Sequence, residues 1–101
     1  MEVRMPSSRP DSIPAVVSVF TQADPASVLD IGCGFGKWGV LFREYSDIAK
    51  SPHSPDRYAK ANWQVTIEAI EAKESYLTPL HDFIYDSVHV GPVQEILPSL
   101  G

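Results

Sequence analysis

The sequence has a single cysteine, Cys33, in 101 residues, so no internal disulfide can form. No apolar run approaches the ~20 residues that span a bilayer. The first residues, Met1-Glu2-Val3-Arg4-Met5-Pro6, lack the apolar centre of a signal peptide. The expected compartment is therefore the cytosol, and no membrane partner is expected. Basic residues are scarce as well: 8 Lys and Arg stand against 13 Asp and Glu, a net charge of −5. That balance leaves no electrostatic footprint for nucleic acid. His53, His81 and His89 share no metal-ligand spacing, so no metal site is expected. Internal repeats and low-complexity tracts are missing too.

What remains is enough for one small α/β domain. Hydrophobic residues make up 44% of the chain, which argues for a globular fold rather than disorder. A chain of this length buries roughly 65% of its unfolded surface, so the core is modest. Residues 1–10 are expected to be loose or to lie across the domain. Asp11 or Ser12 can cap a helix, and Pro14 is tolerated in its first turn. Ile13, Val16, Val17 and Phe20 follow helical spacing, and Pro25 blocks continuation. Ser27 to Ile31 reads as a buried strand. Trp38, Leu41, Phe42 and Tyr45 repeat the helical spacing to about Ile48, a stripe expected to pack on the sheet.

Residues 50–62 form a polar connection of the length that is often functional or flexible. Trp63, Val65, Ile67 and Ala69 then alternate with polar residues, which predicts a two-faced strand ending near Glu71. Thr78 caps a short helix with Pro79 in first position. Ser87 to Val90 suits a third strand, Gly91-Pro92 turns the chain, and Ile96, Leu97 and Leu100 begin a last short helix. Strand alternating with helix predicts a parallel sheet with right-handed crossovers.

The densest signal is Asp30-Ile31-Gly32-Cys33-Gly34-Phe35-Gly36, between the first strand and the helix that starts near Lys37. Glycines at alternate positions let the backbone turn sharply and lie against a ligand. Asp30 places a negative charge at the turn, which repels a pyrophosphate and suits a cation. The carboxyl ends of parallel strands are where such sheets bind ligands, and Asp30, the glycines, Glu71 and Gly91 all fall there. Glu71 can accept from two neighbouring ribose hydroxyls. Cys33, between two glycines, reads as a small side chain packed beneath the turn, with a reactive thiol as the sharper alternative. Gly34-Phe35-Gly36-Lys37-Trp38-Gly39 also fits the dinucleotide pattern G-x-G-x-x-G. In that fold the first glycine comes directly off the strand, and Gly34 stands about three residues late. The next acidic strand end, Glu71, is 41 residues beyond Asp30, against about 20 in the dinucleotide pattern.

The run from Val28 through Gly39 closely resembles the first motif of class I S-adenosylmethionine-dependent methyltransferases. Ala69-Ile70-Glu71 resembles that family's second-strand motif, and Tyr85 to Gly91 its third strand and turn. The resemblance covers roughly residues 26–101, with residues 1–25 as a tail and leading helix. It implies a Rossmann-like parallel sheet with flanking helices, of whose expected seven strands three are present: the cofactor-binding half of a truncated methyltransferase fold. It further implies S-adenosylmethionine as cofactor, held by Asp30, Gly32, Cys33, Gly34, Gly36, Glu71 and Gly91. No catalytic residue and no methyl acceptor can be assigned. At the position where the family usually carries an acid for the adenine amino group, this chain has Pro92. The missing strands are expected to leave a sheet edge open to self-association. The alternatives are a non-catalytic S-adenosylmethionine-binding remnant or interaction module, and an NAD-binding dehydrogenase domain.

Overall fold

A computed structural model describes residues 10–100. The expectation of a loose amino-terminal tail falls mostly on residues 1–9 and lies outside the described residues. A 3₁₀ turn, Pro10–Ser12, leads into helix α1, Ile13–Ala23. Pro14 sits in its first turn as expected. The helix stops at Asp24, which adopts a left-handed conformation (φ 44°) and sends its N–H back to the Phe20 carbonyl at 3.0 Å. Strand β1, Ser27–Ile31, follows at once.

The chain then runs through helix α2, Lys37–Arg43, extended by a π-helical turn, Glu44–Ile48. Strand β2 spans Thr66–Glu71, helix α3 Pro79–Ile84, and strand β3 Ser87–Val90. A last helical turn, α4, covers Val93–Ile96 and continues as a 3₁₀ turn, Leu97–Leu100. The three strands form one parallel sheet in the order β1-β2-β3. The fold is thus α/β: a three-stranded parallel sheet of Rossmann-like type with flanking helices. No helix among the described residues is long and apolar enough to cross a membrane.

Strand register explains where the core lies. Asp30 pairs with Ala69, and Ala69 with Val88, so these residues share a face with Ile67 and Val28. On that face Cys33, Val65, Ile67, Ala69, Ile84 and Tyr85 form the buried cluster, with Phe42, Trp63 and Leu77 packed against it. Helices α2 and α3 therefore cover one face of the sheet.

Three expectations need correction. The strand Ser27–Ile31 is not buried: Leu29 is 36% and Ile31 53% exposed, and only Asp30 is buried. The strand order leaves β1 at an edge, and its Leu29 and Ile31 point away from the face that α2 and α3 cover. The aromatic stripe on α2 faces the sheet only in part: Phe42 packs against the core cluster, and the stripe also meets α1. Phe42 stacks on Phe20 of α1 at 4.6 Å, Trp38 stacks on Phe42, and Tyr45 is exposed. The side of this helix that is buried carries Gly39, Arg43 and Ser46. The second strand begins at Thr66, not Trp63, because Trp63 turns into the preceding connection and donates its indole N–H to the Arg57 carbonyl.

Arg43 is the unforeseen core residue. It is fully buried, yet its guanidinium donates to the carbonyls of Ile84 and Val65 and to the carboxylates of Asp47 and Asp86. Its planar fork also lies over the Trp63 ring at 4.7 Å. With Asp47 accepting from the Gln64 and Val65 N–H groups, this network ties α2 to the start of β2 and to the turn before β3.

Candidate functional site

The turn between β1 and α2 is built on backbone conformations that side chains rarely adopt. Gly32, Gly34 and Gly36 have φ of 70°, 56° and 94°. All three lie in the left-handed region, where a Cβ is strained. A side chain at Gly32 would meet nothing within 4 Å, so that residue is required for its conformation, and its outer side faces open space. At Gly36 a Cβ would instead sit 3.6 Å from the His81 ring, which lies directly beneath the turn.

The hydrogen bonds of the turn run inward. Gly32 and Cys33 donate their N–H groups to the Ile70 carbonyl at 2.8 and 3.3 Å, and Gly36 donates to the Cys33 carbonyl at 3.0 Å. Gly34 donates to the Glu71 carboxylate, Oε1, at 2.8 Å. The other oxygen of Glu71, Oε2, accepts from the Lys73 N–H at 2.9 Å. Glu71 is 6% exposed at the end of β2, so this bridge between two loops fixes its carboxylate. Each oxygen retains a further lone pair. The Gly91 N–H bonds the Glu71 carbonyl at 3.0 Å, which sets the turn after β3 beside the same strand end.

Of the residues singled out in the sequence, the structure joins Gly34 to Glu71 directly and Gly91 to Glu71 through the backbone. Gly32, Cys33 and Gly36 belong to the same turn. Asp30 is placed differently. Its side chain points beneath the turn, onto the α3 side, and accepts from the Tyr85 hydroxyl at 2.6 Å. Burial raises its pKa above the ordinary carboxylate value; the Tyr85 hydrogen bond opposes this, and the Glu71 charge adds to it. The Tyr85 hydroxyl is itself pushed up, by burial and then by Asp30. Cys33 is 3% exposed in the core cluster. Burial, followed by the charges of Asp30 and Glu71, raises its thiol to about 11. A thiol held protonated in this way is no nucleophile at neutral pH. It packs beneath the turn, and only its backbone remains for contact with a ligand.

Pro92 heads α4, and its carbonyl accepts from the Glu95 and Ile96 N–H groups. Gly91, at φ 146°, would bring a Cβ within 3.2 Å of the Ile96 side chain. The connection over residues 50–62 is anchored: Lys60 donates to the carbonyls of Asp82 and Tyr85. Among the described residues no group of three His, Cys, Asp or Glu is placed to hold a metal ion.

Two residues of this region went unassigned in the sequence. His81 is 1% exposed, and its Nε2 lies 2.8 Å from the Gly34 carbonyl. Tyr85 is 1% exposed and supplies the hydrogen bond to Asp30. His81 stands three residues after the cap Thr78, a position from which a polar side chain can reach back to the cap N–H, so that spacing was a usable signal. Tyr85 had none beyond its place before β3. Comparison of the chain with protein-family models, with curated proteins and with solved structures finds no match.

Proposed function

We propose that the glycine turn and Glu71 bind S-adenosylmethionine, and that this chain is the cofactor-binding part of a class I S-adenosylmethionine-dependent methyltransferase. The observation that carries the proposal is the Glu71 bridge, which presents a fixed, buried carboxylate at the rim of a glycine turn with an open face at Gly32. A carboxylate so held has the remaining lone pairs to accept from a vicinal diol, as a ribose offers. Two acids at the turn, Asp30 and Glu71, favour a cationic ligand over an anionic one.

The dinucleotide alternative fits less well. A pyrophosphate cradle needs backbone N–H groups aimed at the ligand. Here those of Gly32, Cys33, Gly34 and Gly36 are engaged inside the turn. When bound, S-adenosylmethionine supplies a methyl group on a sulfonium, already activated for transfer. The residues of this chain would then hold and orient it: the turn backbone would form the floor, Glu71 would take the ribose, and Asp30 would contribute negative charge from below. The acceptor remains open.

A second reading, a binding module without turnover, is favoured by Pro92. It stands where an acid would hold the adenine amino group, and proline offers neither a side-chain acceptor nor a backbone N–H. The proposed compartment is the cytosol, in keeping with a single, unpaired and buried cysteine.

Calorimetry with S-adenosylmethionine, its demethylated product and NAD tests the proposal. The first two are expected to bind and NAD to be ignored. Glu71→Ala is expected to weaken binding by about 1.5–3 kcal/mol, the range for hydrogen bonds to a charged group. Preferential binding of NAD, or unchanged affinity in Glu71→Ala, would sink it.

A further inference from the structure

Gly34 is held from both sides. Its N–H donates to Glu71 Oε1, and its carbonyl lies 2.8 Å from His81 Nε2. The surroundings of the imidazole fix which nitrogen carries the proton. The Thr78 backbone N–H points at His81 Nδ1 at 3.0 Å, and a backbone N–H can only donate. Nδ1 must therefore accept, so the proton resides on Nε2 and is donated to the Gly34 carbonyl. The Thr78 hydroxyl, 3.2 Å from the same Nδ1, is compatible with that tautomer. The ring is clamped further by stacking on Tyr85, with centroids 5.9 Å apart. Gly36 lies above it, where a Cβ would sit 3.6 Å from the ring, in ordinary van der Waals contact. Asp30 of β1, Glu71 of β2 across Gly34, and Tyr85 just after α3 are titratable groups near it.

The consequence concerns Glu71. Its carboxylate has two anchors, the N–H groups of Gly34 and Lys73. The Gly34 anchor is only as well placed as the Gly34 residue, and His81 is what grips its other end. We propose that His81 is a positioning residue for the ligand: by holding the Gly34 carbonyl it fixes the Gly34 N–H, and through it the presentation of the Glu71 carboxylate to ligand hydroxyls. This inference rests on the ribose role given to Glu71 above. It makes α3, which supplies no group to the ligand, part of the site's preorganisation.

Two substitutions separate this role from simple packing. His81→Asn places an amide oxygen near the Nδ1 position, so it keeps the acceptor for the Thr78 N–H and loses the reach to Gly34. His81→Gln places its amide nitrogen near Nε2, so it keeps the donor to Gly34. The probes are the demethylated cofactor product, S-adenosylhomocysteine, and the same molecule without its 2′-hydroxyl, titrated by calorimetry. In the native protein the missing hydroxyl is expected to weaken binding about tenfold, the size of one hydrogen bond to a charged group. In His81→Asn the complete ligand is expected to bind about tenfold more weakly, and the missing hydroxyl to matter about twofold or less. His81→Gln is expected to restore most of both effects.

A folded His81→Asn protein that keeps the full tenfold sensitivity to the hydroxyl overturns the proposal. If His81→Asn does not fold, the decision passes to His81→Gln and to the ring nitrogens of the native protein, read by nitrogen chemical shifts. A protonated Nε2 and a bare Nδ1 are expected, and the opposite tautomer refutes the grip on Gly34. Failure of the native protein to bind S-adenosylhomocysteine at all refutes the cofactor reading and the ligand role of His81 with it. The tautomer then still decides, separately, whether His81 holds Gly34.

Discussion

Gly39→Ala sets helix propensity against packing, and the two predict opposite signs. Gly39 lies inside α2, where alanine normally gains about 0.5–1 kcal/mol over glycine. The structure places a Cβ there 2.5 Å from both Cζ and the hydroxyl oxygen of Tyr85, and 2.8 Å from Cγ2 of Ile84. Real carbon atoms do not approach so closely, so α2 or Tyr85 must shift. Overpacking of this kind costs about 1–3 kcal/mol. Moving Tyr85 also strains its 2.6 Å hydrogen bond to Asp30, a bond to a charged acceptor that contributes about 1.5–3 kcal/mol. After the propensity gain is subtracted, a net loss of about 2–4 kcal/mol is expected. In a domain of this size each kcal/mol moves the melting temperature by roughly 4–8 °C. A fall of roughly 10–25 °C should appear in a thermal melt followed by circular dichroism. Val40→Ala, at an exposed position of the same helix, serves as the control and is expected to change little. A Gly39→Ala melting temperature equal to or above that of the native protein would refute the close packing of α2 on Tyr85.

Two further outcomes are expected. Asp30 has a raised folded pKa, so the folded state binds its proton more tightly than the unfolded chain, and the contribution of Asp30 to stability declines as pH rises from about 3.8 through the folded value. Asp30→Asn removes that decline, so the difference in melting temperature between variant and native protein should shift in the variant's favour from acid to neutral pH; a difference independent of pH would count against it. Glu68, whose pKa is lowered by hydrogen bonds from Ser87 and His89, titrates in the opposite sense, but it is common to both proteins and cancels in the comparison. The outer edge of β1, with Leu29 and Ile31 exposed and no strand paired to it among the described residues, is expected to promote self-association. Ile31→Lys should reduce the sedimenting mass at high concentration, and an unchanged profile would show that the edge is not the contact.

Features set by local chemistry were legible in the sequence. Alternate glycines announced a sharp turn, and Gly32, Gly34 and Gly36 make it with left-handed backbone. The Thr78-Pro79 start of α3 and the Glu71 end of β2 were placed correctly because capping and strand-end chemistry act over a few residues. Features that depend on distant partners were not legible. Arg43 drew no attention in the sequence, and it is buried because carbonyls 22 and 41 residues away meet its guanidinium. Periodicity marked an aromatic stripe on α2 but could not say that Phe42 would pack against the core cluster and also stack on Phe20 of α1. An open sheet edge was expected, but the exposure of β1 was not, since Leu29 and Ile31 point away from the face that α2 and α3 cover. His81 was dismissed as a metal ligand, and its contact with Gly34 spans 47 residues.

The two acids of the site are held on unlike terms, and the difference bears on what the turn is for. Glu71 has two backbone donors in the protein itself, so its charge is compensated with no ligand present. Asp30 has one neutral partner, Tyr85, and its ionised form is disfavoured by burial and by Glu71. A fold that needed only a hydrogen-bond acceptor for Tyr85 would be served by asparagine without that penalty. A carboxylate there is costly to ionise, and under the proposed function a cation near the turn would favour its ionised form. Strain of this kind is characteristic of functional sites, where stability is sacrificed to preorganisation. Under the proposed function that effect would apply to a sulfonium and not to a pyrophosphate, and the same carboxylate would sharpen the choice of ligand.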